Sequence, residues 1–276
     1  MGCCLSTPIV PLFADIGPNT QLVSLEDQPD LLDLPLHDVA IMSSHNSYIR
    51  TLQHIGESSI DALKIVLDRG ARCIELDVYR DPTTNKIFVA HGKEELPCDI
   101  ITTTRLPFED AIQFIMSYAF LRTNDPLFIA LEMNVHNERI PCDTIADIIE
   151  GYAKDKLYTK PLSGSTPLRD LLGKVILMNG GGVNSDRLSN RMHVQWNSIF
   201  QNVASNVIPE TLNGKETCIR VYPDGDLRGA LSMNFDPLPF LKAGATFVAL
   251  NMCTNDEHMR TYAEWFAKSS IMKKPF

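Results

Sequence analysis

The sequence predicts a single α/β domain folded as a distorted TIM-type (β/α)8 barrel. Three observations lead there. From about residue 37 onward, short apolar strands alternate with amphipathic helices, the pattern of a parallel sheet with crossover helices. Eight candidate strands can be counted, enough to close a barrel. The chain has 276 residues, and one such barrel fills about 250.

The candidate strands begin with Val39–Met42, Cys73–Val78 and Ile87–Ala90. Leu127–Met133, Val175–Met178 and a weaker His193–Trp196 continue the series, and Cys218–Tyr222 and Thr246–Asn251 end it. Between them, Ser59 to Arg69 places Ile60, Leu63, Val66 and Leu67 on one helical face, with Gly70 suited to end it. Pro107 suits a helix first turn ahead of Ile112, Ile115 and Met116. Asp143 to Tyr152 repeats the pattern with Ile145, Ile148 and Ile149. Residues 7–36 lack periodicity and read as an extended arm leading to the domain. The stretch from Gly180 to about Glu216 is the least regular and reads as a long loop around one weak strand.

Composition narrows the function. Hydrophobic residues make up 44% and charged residues 21%, a globular profile. The net charge of −9 and the lack of a basic cluster exclude nucleic acid as a partner. The same charge is repelled by an anionic bilayer, so membrane attachment would need apolar insertion or a lipid anchor. Seven scattered cysteines with no CxxC argue against a disulfide framework and for a reducing setting. The first residues, Met1-Gly2-Cys3-Cys4-Leu5-Ser6, fit the N-myristoylation pattern with Gly2 as acceptor. One myristoyl chain binds only marginally, and palmitoylation of Cys3 and Cys4 would supply the second signal.

The strand period gathers polar residues at one end of the predicted barrel. Glu75 and Asp77 share one face of their strand, and Ile74, Leu76 and Val78 the other. Glu132 holds the same kind of position, while His45-Asn46 and His91-Gly92 follow two other strands. Active sites of such barrels form at these C-terminal strand ends. Carboxylates this close would stay partly protonated unless a cation bound them. The all-oxygen set Asn46, Glu75, Asp77 and Glu132 suits Ca²⁺ better than Zn²⁺.

These motifs resemble the eukaryotic-type phosphoinositide-specific phospholipase C family. Ser43-Ser44-His45-Asn46-Ser47-Tyr48, Arg72-Cys73-Ile74-Glu75-Leu76-Asp77, His91-Gly92 and Ala130-Leu131-Glu132 are similar to its X half. Arg220-Val221-Tyr222-Pro223, Ala243-Gly244, Val248-Ala249-Leu250-Asn251 and Lys274-Pro275 are similar to its Y half. The first residues and the lack of periodicity give an acylated arm over 1–36 and an irregular connection with a weak strand over 181–215; the resemblance, which covers roughly 37–276, implies an X half over 37–180 and a Y half over 216–276. It implies Ca²⁺ on Asn46, Glu75, Asp77 and Glu132, and catalytic His45 and His91 with Glu75 or Glu132 as base. It also implies headgroup contacts from Arg220 and Tyr222. The expected reaction cleaves phosphatidylinositol or its phosphates to diacylglycerol and an inositol (cyclic) phosphate, carried out by a monomer at the cytoplasmic face of a membrane. Bacterial relatives put an Arg at the place of Asp77 and need no metal, so the Asp here fits the metal-dependent branch.

Two departures bear on substrate choice. Asn179 and Gly181 stand where the family usually has two lysines that grip ring phosphates; Lys93 and Lys215 are the lysines that could replace them. Two alternatives have different signatures. A glycerophosphodiester phosphodiesterase would place His-Arg where this chain has His45-Asn46 and would lack the Arg-x-Tyr-Pro strand. A catalytically silent lipid-binding scaffold would have lost an expected catalytic residue, and none is missing.

Overall fold

The computed structural model describes residues 22–50, 56–92, 102–135, 138–179, 183, 185–195, 200–224 and 233–276. Gly2, Cys3, Cys4, Lys93 and Gly181 lie outside them. In chain order the strands are β1 (Val39–Ser44), β2 (Cys73–Arg80), β3 (Ile87–Val89), β4 (Leu106–Pro107), β5 (Leu127–Asn134), β6 (Val175–Asn179), β7 (Met192–Gln195), β8 (Phe200–Ala204), β9 (Cys218–Tyr222), β10 (Phe247–Leu250) and β11 (Ile271–Lys273). The helices are α1 (Pro29–Leu32), α2 (Ile60–Asp68), α3 (Phe108–Tyr118), α4 (Arg139–Ala153), α5 (Asp186–Ser189), α6 (Leu238–Lys242) and α7 (Glu257–Trp265).

Eight strands pair in parallel in the order β7-β6-β5-β2-β1-β10-β9-β8 and curl into a nearly closed barrel. Among the described residues no ladder joins β7 to β8. The eight are not the eight expected from sequence. Ile87–Val89 is antiparallel to β2, with Val78 opposite Val89, and it leaves the barrel as a hairpin that β4 extends. Its place is taken by β8, which lies in the stretch expected to be a loop. There Phe200, Asn202 and Ala204 alternate with Gln201 and Val203, a five-residue strand too short and polar for hydropathy to reveal. The strand β11 is antiparallel to β1 and covers its lower half, opposite Val39 to Ile41.

Two buried layers follow from the two-residue strand period. Inward-facing Val39, Ile41, Cys73, Phe128, Ala130, Ile176, Met178, Phe200, Cys218 and Phe247 fill the barrel. Outward-facing Ile74, Leu76, Leu127, Ile129, Leu131, Leu177, Ile219, Val221 and Val248 meet the helices. Ser59 caps α2, its hydroxyl accepting from the Ala62 amide at 3.2 Å, and Gly70 ends it at a φ of 99°. The helix α4 starts a turn earlier than its apolar pattern, because Pro141 sits in the first turn, where its missing N–H costs nothing.

The described part of the expected arm belongs to the domain. Leu25 and Leu36 are fully buried in the inner layer, with Leu31, Leu32 and Leu34 packed against it. The Leu25 amide donates to the Asp125 carboxylate at 2.7 Å, and the Leu36 amide to the Thr166 carbonyl at 2.9 Å. Residues 25–36 thus form a floor under the barrel, opposite the strand C-termini. Lys274 also locks this end, its ammonium donating to the carbonyls of His37 (2.5 Å) and Gly214 (2.8 Å) and to the Thr246 hydroxyl (3.1 Å). Leu25→Ala or Leu36→Ala should each lower stability by about 2–5 kcal/mol in urea unfolding, the usual loss for emptying a buried leucine site. Wild-type stability in either variant would mean that this segment is a dispensable tether.

Candidate active site

The barrel's C-terminal mouth collects side chains whose charge the fold must neutralise. Because β2 and β5 run parallel in register, Asp77 lies beside Glu132, and Glu75 lies one inward position below on β2. Carboxylate oxygens of all three fall within 4.8 Å of one another, and Glu75 and Asp77 are buried. Asn46 enters the cluster from the turn after β1, with φ at 43°, a left-handed conformation that asparagine tolerates. Its amide N–H donates to Glu75 Oε2 at 3.1 Å, and its side-chain oxygen accepts from the Tyr48 hydroxyl at 3.3 Å.

Arg220, an inward residue of β9, offsets one of the three charges. Its guanidinium is 3% exposed and donates to Glu75 Oε1 at 2.5 Å and to Asn202 Oδ1 at 3.0 Å, and it lies over the Tyr222 ring at 5.5 Å. Burial works against the charged guanidinium, but Glu75, Cys73 and Glu132 together outweigh it and hold the pKa above its usual value. Burial likewise pushes the Glu75 carboxyl up, while Arg220, His45 and the Asn46 N–H outweigh it and hold Glu75 ionised. Its neighbours go the other way. Asp77 is driven well above the carboxylate range by burial and by Glu75. Glu132 is pushed up to about 8 by the Asp77 charge first and burial second. Near neutral pH the cluster therefore carries protons that a divalent cation would displace.

Two histidines flank the carboxylates. His45 directs Nε2 to Glu75 Oε2 at 3.7 Å and holds Asn251 Oδ1 at 2.9 Å through Nδ1. His91 places Nδ1 3.3 Å from Asp77 Oδ2 and 3.5 Å from Asn46 Nδ2. It does not follow a barrel strand as expected from sequence. The β2–β3 hairpin returns it to the mouth, where its amide donates to the Thr102 hydroxyl at 3.2 Å. Burial lowers both histidine pKa values, opposed by Glu75 at His45 and by Glu132 and Glu75 at His91.

His45, Asn46, Glu75, Asp77, His91, Glu132, Arg220 and Tyr222 thus converge on one mouth. Asn179 does not join them by register: it pairs with Leu131, on the helix-facing side. Lys215 precedes β9 near the floor, its ammonium 5.1 Å from the Phe276 ring, so it is not a replacement cation at the mouth. Asn202 lies on a strand that hydropathy does not reveal, and no motif marks a task for Asn251, Asn234 or Thr102. The donor set fits a hard divalent cation: three carboxylates and an amide oxygen, no thiolate, and a carboxyl pushed up to about 8 by the Asp77 charge and by burial.

Comparison with known proteins agrees with this geometry. The family model described as phosphatidylinositol-specific phospholipase C, X domain, matches residues 32–180, and the Y-domain model matches 184–273. The chain is 32% identical over 148 residues to Bos taurus 1-phosphatidylinositol 4,5-bisphosphate phosphodiesterase delta-4, covering 52% of this chain and 17% of that one. It is 33% identical over 143 residues to the gamma-2 protein of that name from Rattus norvegicus, covering 50% of this chain and 10% of that one. The chain therefore spans about a sixth of the length of the first of these relatives. In fold it is similar to S. officinalis PLC21, with a TM-score of 0.74, 22% identity, and 88% of this chain and 37% of that chain covered. It is also similar to a calcium-dependent phosphoinositol-specific phospholipase C from Pseudomonas sp, with a TM-score of 0.56, 14% identity, and coverage of 89% and 97%.

The crowding has a measurable sign. Without a cation, Glu132 titrates at about 8 when folded, against 4.5 ordinarily. The folded chain then holds a proton that the unfolded chain has lost, so metal-free stability should fall as pH rises from about 4.5 to about 8. Saturating Ca²⁺ should flatten that slope. Asp77→Asn should raise the metal-free melting temperature while weakening Ca²⁺ binding in calorimetry. A variant destabilised in the absence of metal would show that the carboxylates do not repel.

Proposed function

Because the chain belongs to the phosphatidylinositol-specific phospholipase C family, we propose that it is a calcium-dependent phospholipase C that cleaves phosphatidylinositol or its phosphates. The observation that carries this reading is the pair His45 and His91 set on either side of a buried three-carboxylate cluster at the barrel mouth. Asn46, Glu75, Asp77 and Glu132 would hold Ca²⁺. When bound, the ion would acidify the inositol 2-hydroxyl and offset phosphate charge.

The protein's own groups supply the rest. Glu75 or Glu132 accepts the 2-hydroxyl proton as that oxygen attacks phosphorus. His45, carrying a proton on each ring nitrogen, donates from Nε2 to a non-bridging phosphate oxygen as charge builds there. The bond from phosphorus to the diacylglycerol oxygen breaks, and His91 protonates the departing oxygen. The product is a cyclic inositol phosphate, which water opens by the reverse proton transfers. Arg220 and Tyr222 form one wall of the headgroup site.

Ring phosphates each carry close to two charges and call for several cationic donors. Arg220 is already held by Glu75 and Asn202, and Asn179 lies on the outer face. This favours phosphatidylinositol or its monophosphate as substrates cleaved at least as well as the bisphosphate. No helix among the described residues is long and apolar enough to cross a membrane. Attachment to the cytoplasmic face of a membrane by acylation of Gly2, Cys3 and Cys4 is the anchor that the first residues favour, with a monomer as the acting unit.

Phosphatidylinositol in mixed micelles should be hydrolysed with Ca²⁺ and not with excess chelator. His45→Ala and His91→Ala should each reduce turnover on the order of a hundredfold or more. Substrates with a better leaving group should rescue His91→Ala and leave His45→Ala impaired. Undiminished hydrolysis in chelator would refute the metal assignment, and equal rescue of both variants the division of roles. For the anchor, Gly2→Ala should move the protein from membranes to the aqueous fraction in cell fractionation. Unchanged partition would place the anchor elsewhere.

A further inference from the structure

His45 and Asn251 are brought together by the ladder between β1 and β10. Ser44 pairs with Leu250, and the His45 amide donates to the Leu250 carbonyl at 2.8 Å. The next residue on each side is therefore His45 facing Asn251, and their side chains meet at 2.9 Å. Asn251 is 6% exposed, so this amide is not a mobile surface group.

Its backbone is held in turn. Asn234 accepts from the Asn251 amide at 2.7 Å and directs its own side-chain NH₂ to the Asn251 carbonyl at 3.4 Å. Asp256 binds Asn234 twice, through its backbone amide at 2.8 Å and its side-chain NH₂ at 3.1 Å. The same carboxylate caps α7, accepting from the Met259 amide at 2.8 Å. The chain of contacts runs from a helix N-terminus through two buried asparagines to an imidazole at the mouth.

A histidine's two nitrogens are not equivalent, and the bond made by one decides which tautomer the other presents. An amide oxygen can only accept. We propose that Asn251, locked by Asn234 and Asp256, is a positioning residue that keeps a proton on His45 Nδ1, in the neutral ring and in the imidazolium that donates, and aims Nε2 at the reacting phosphate. Asn251 acts through His45. The catalytic consequence rests on the proposed phospholipase function, whereas the tautomer does not.

The test joins a substrate-free readout to kinetics. In ¹⁵N-histidine-labelled protein at a pH where the ring is neutral, the His45 signal, assigned by its loss in His45→Ala, should show Nδ1 protonated. Asn251→Ala should give a mixture of tautomers. It should lower kcat by about 10- to 100-fold, the scale of a misplaced catalytic group, with KM and Ca²⁺ affinity retained. Asn251→Asp, which can only accept, should keep the Nδ1–H tautomer and recover most of the lost kcat; Asn234→Ala should show the same loss in smaller degree. Three results would overturn the inference: Nε2 protonated in the wild-type resting ring, wild-type kcat in Asn251→Ala, or Asn251→Asp no better than alanine while both remain folded. If the wild-type chain turned over no phosphoinositide, the proposed function would fall, and the tautomer spectrum would still decide the role of Asn251.

Discussion

The buried pair of Glu75 and Arg220 is the contact around which the mouth is organised. Two ions taken out of water at 7% and 3% side-chain exposure need mutual attraction and further hydrogen bonds to offset desolvation. Both conditions are met. Glu75 also accepts from the Asn46 amide, and Arg220 from its other side donates to Asn202. The pair spans the barrel from β2 to β9, so the strands of both halves must close for it to form. Removing either partner would leave the other charge buried and alone.

That pair accounts for one carboxylate of three. Asp77, which faces His91 at 3.3 Å, and Glu132 are fixed side by side by the parallel register, and burial and neighbouring carboxylates raise the pKa of both. Local instability of this kind is common where a site must favour an occupant the folded chain does not itself supply. The barrel tolerates it because the surrounding layers are apolar and close-packed, with Leu76 and Leu131 behind these residues fully buried. The floor built by Leu25, Leu36 and Lys274 holds the opposite end, so the mouth is a small polar exception within a large core.

The same contacts constrain substrate choice. In the proposed headgroup wall Arg220 would be the cation, yet its guanidinium is committed to Glu75 and Asn202. A multiply phosphorylated ring would have to compete for it or find cations beyond the described residues. The histidines are held in a matching way, each with Nδ1 on a fixed partner, Asn251 or Asp77. Preorganisation at both nitrogens and at Arg220 limits the reorganisation left for the reacting complex.

Much of this was legible in the sequence because period and motif are local properties. The alternation of Glu75 and Asp77 with Ile74, Leu76 and Val78 set which side chains face inward, and the spacing of Ile60, Leu63 and Val66 set a helix. His45, Asn46, His91, Glu132 and Arg220 were nameable from short segments that each carry their own pattern. Three features depended on distant segments meeting. Asn202 lies on a strand whose five residues carry too little hydropathy to be seen until β9 pairs with it. Ile87–Val89 looks like a barrel strand, and only the antiparallel register with β2 turns it outward. Residues 25–36 have no period because they plug a barrel end rather than lie along a sheet or helix. The residue types at the mouth were thus written in the sequence, whereas the tertiary structure decided their pairings, since a pKa, a tautomer or an ion pair depends on distances that segments far apart in the chain set only when they close the barrel.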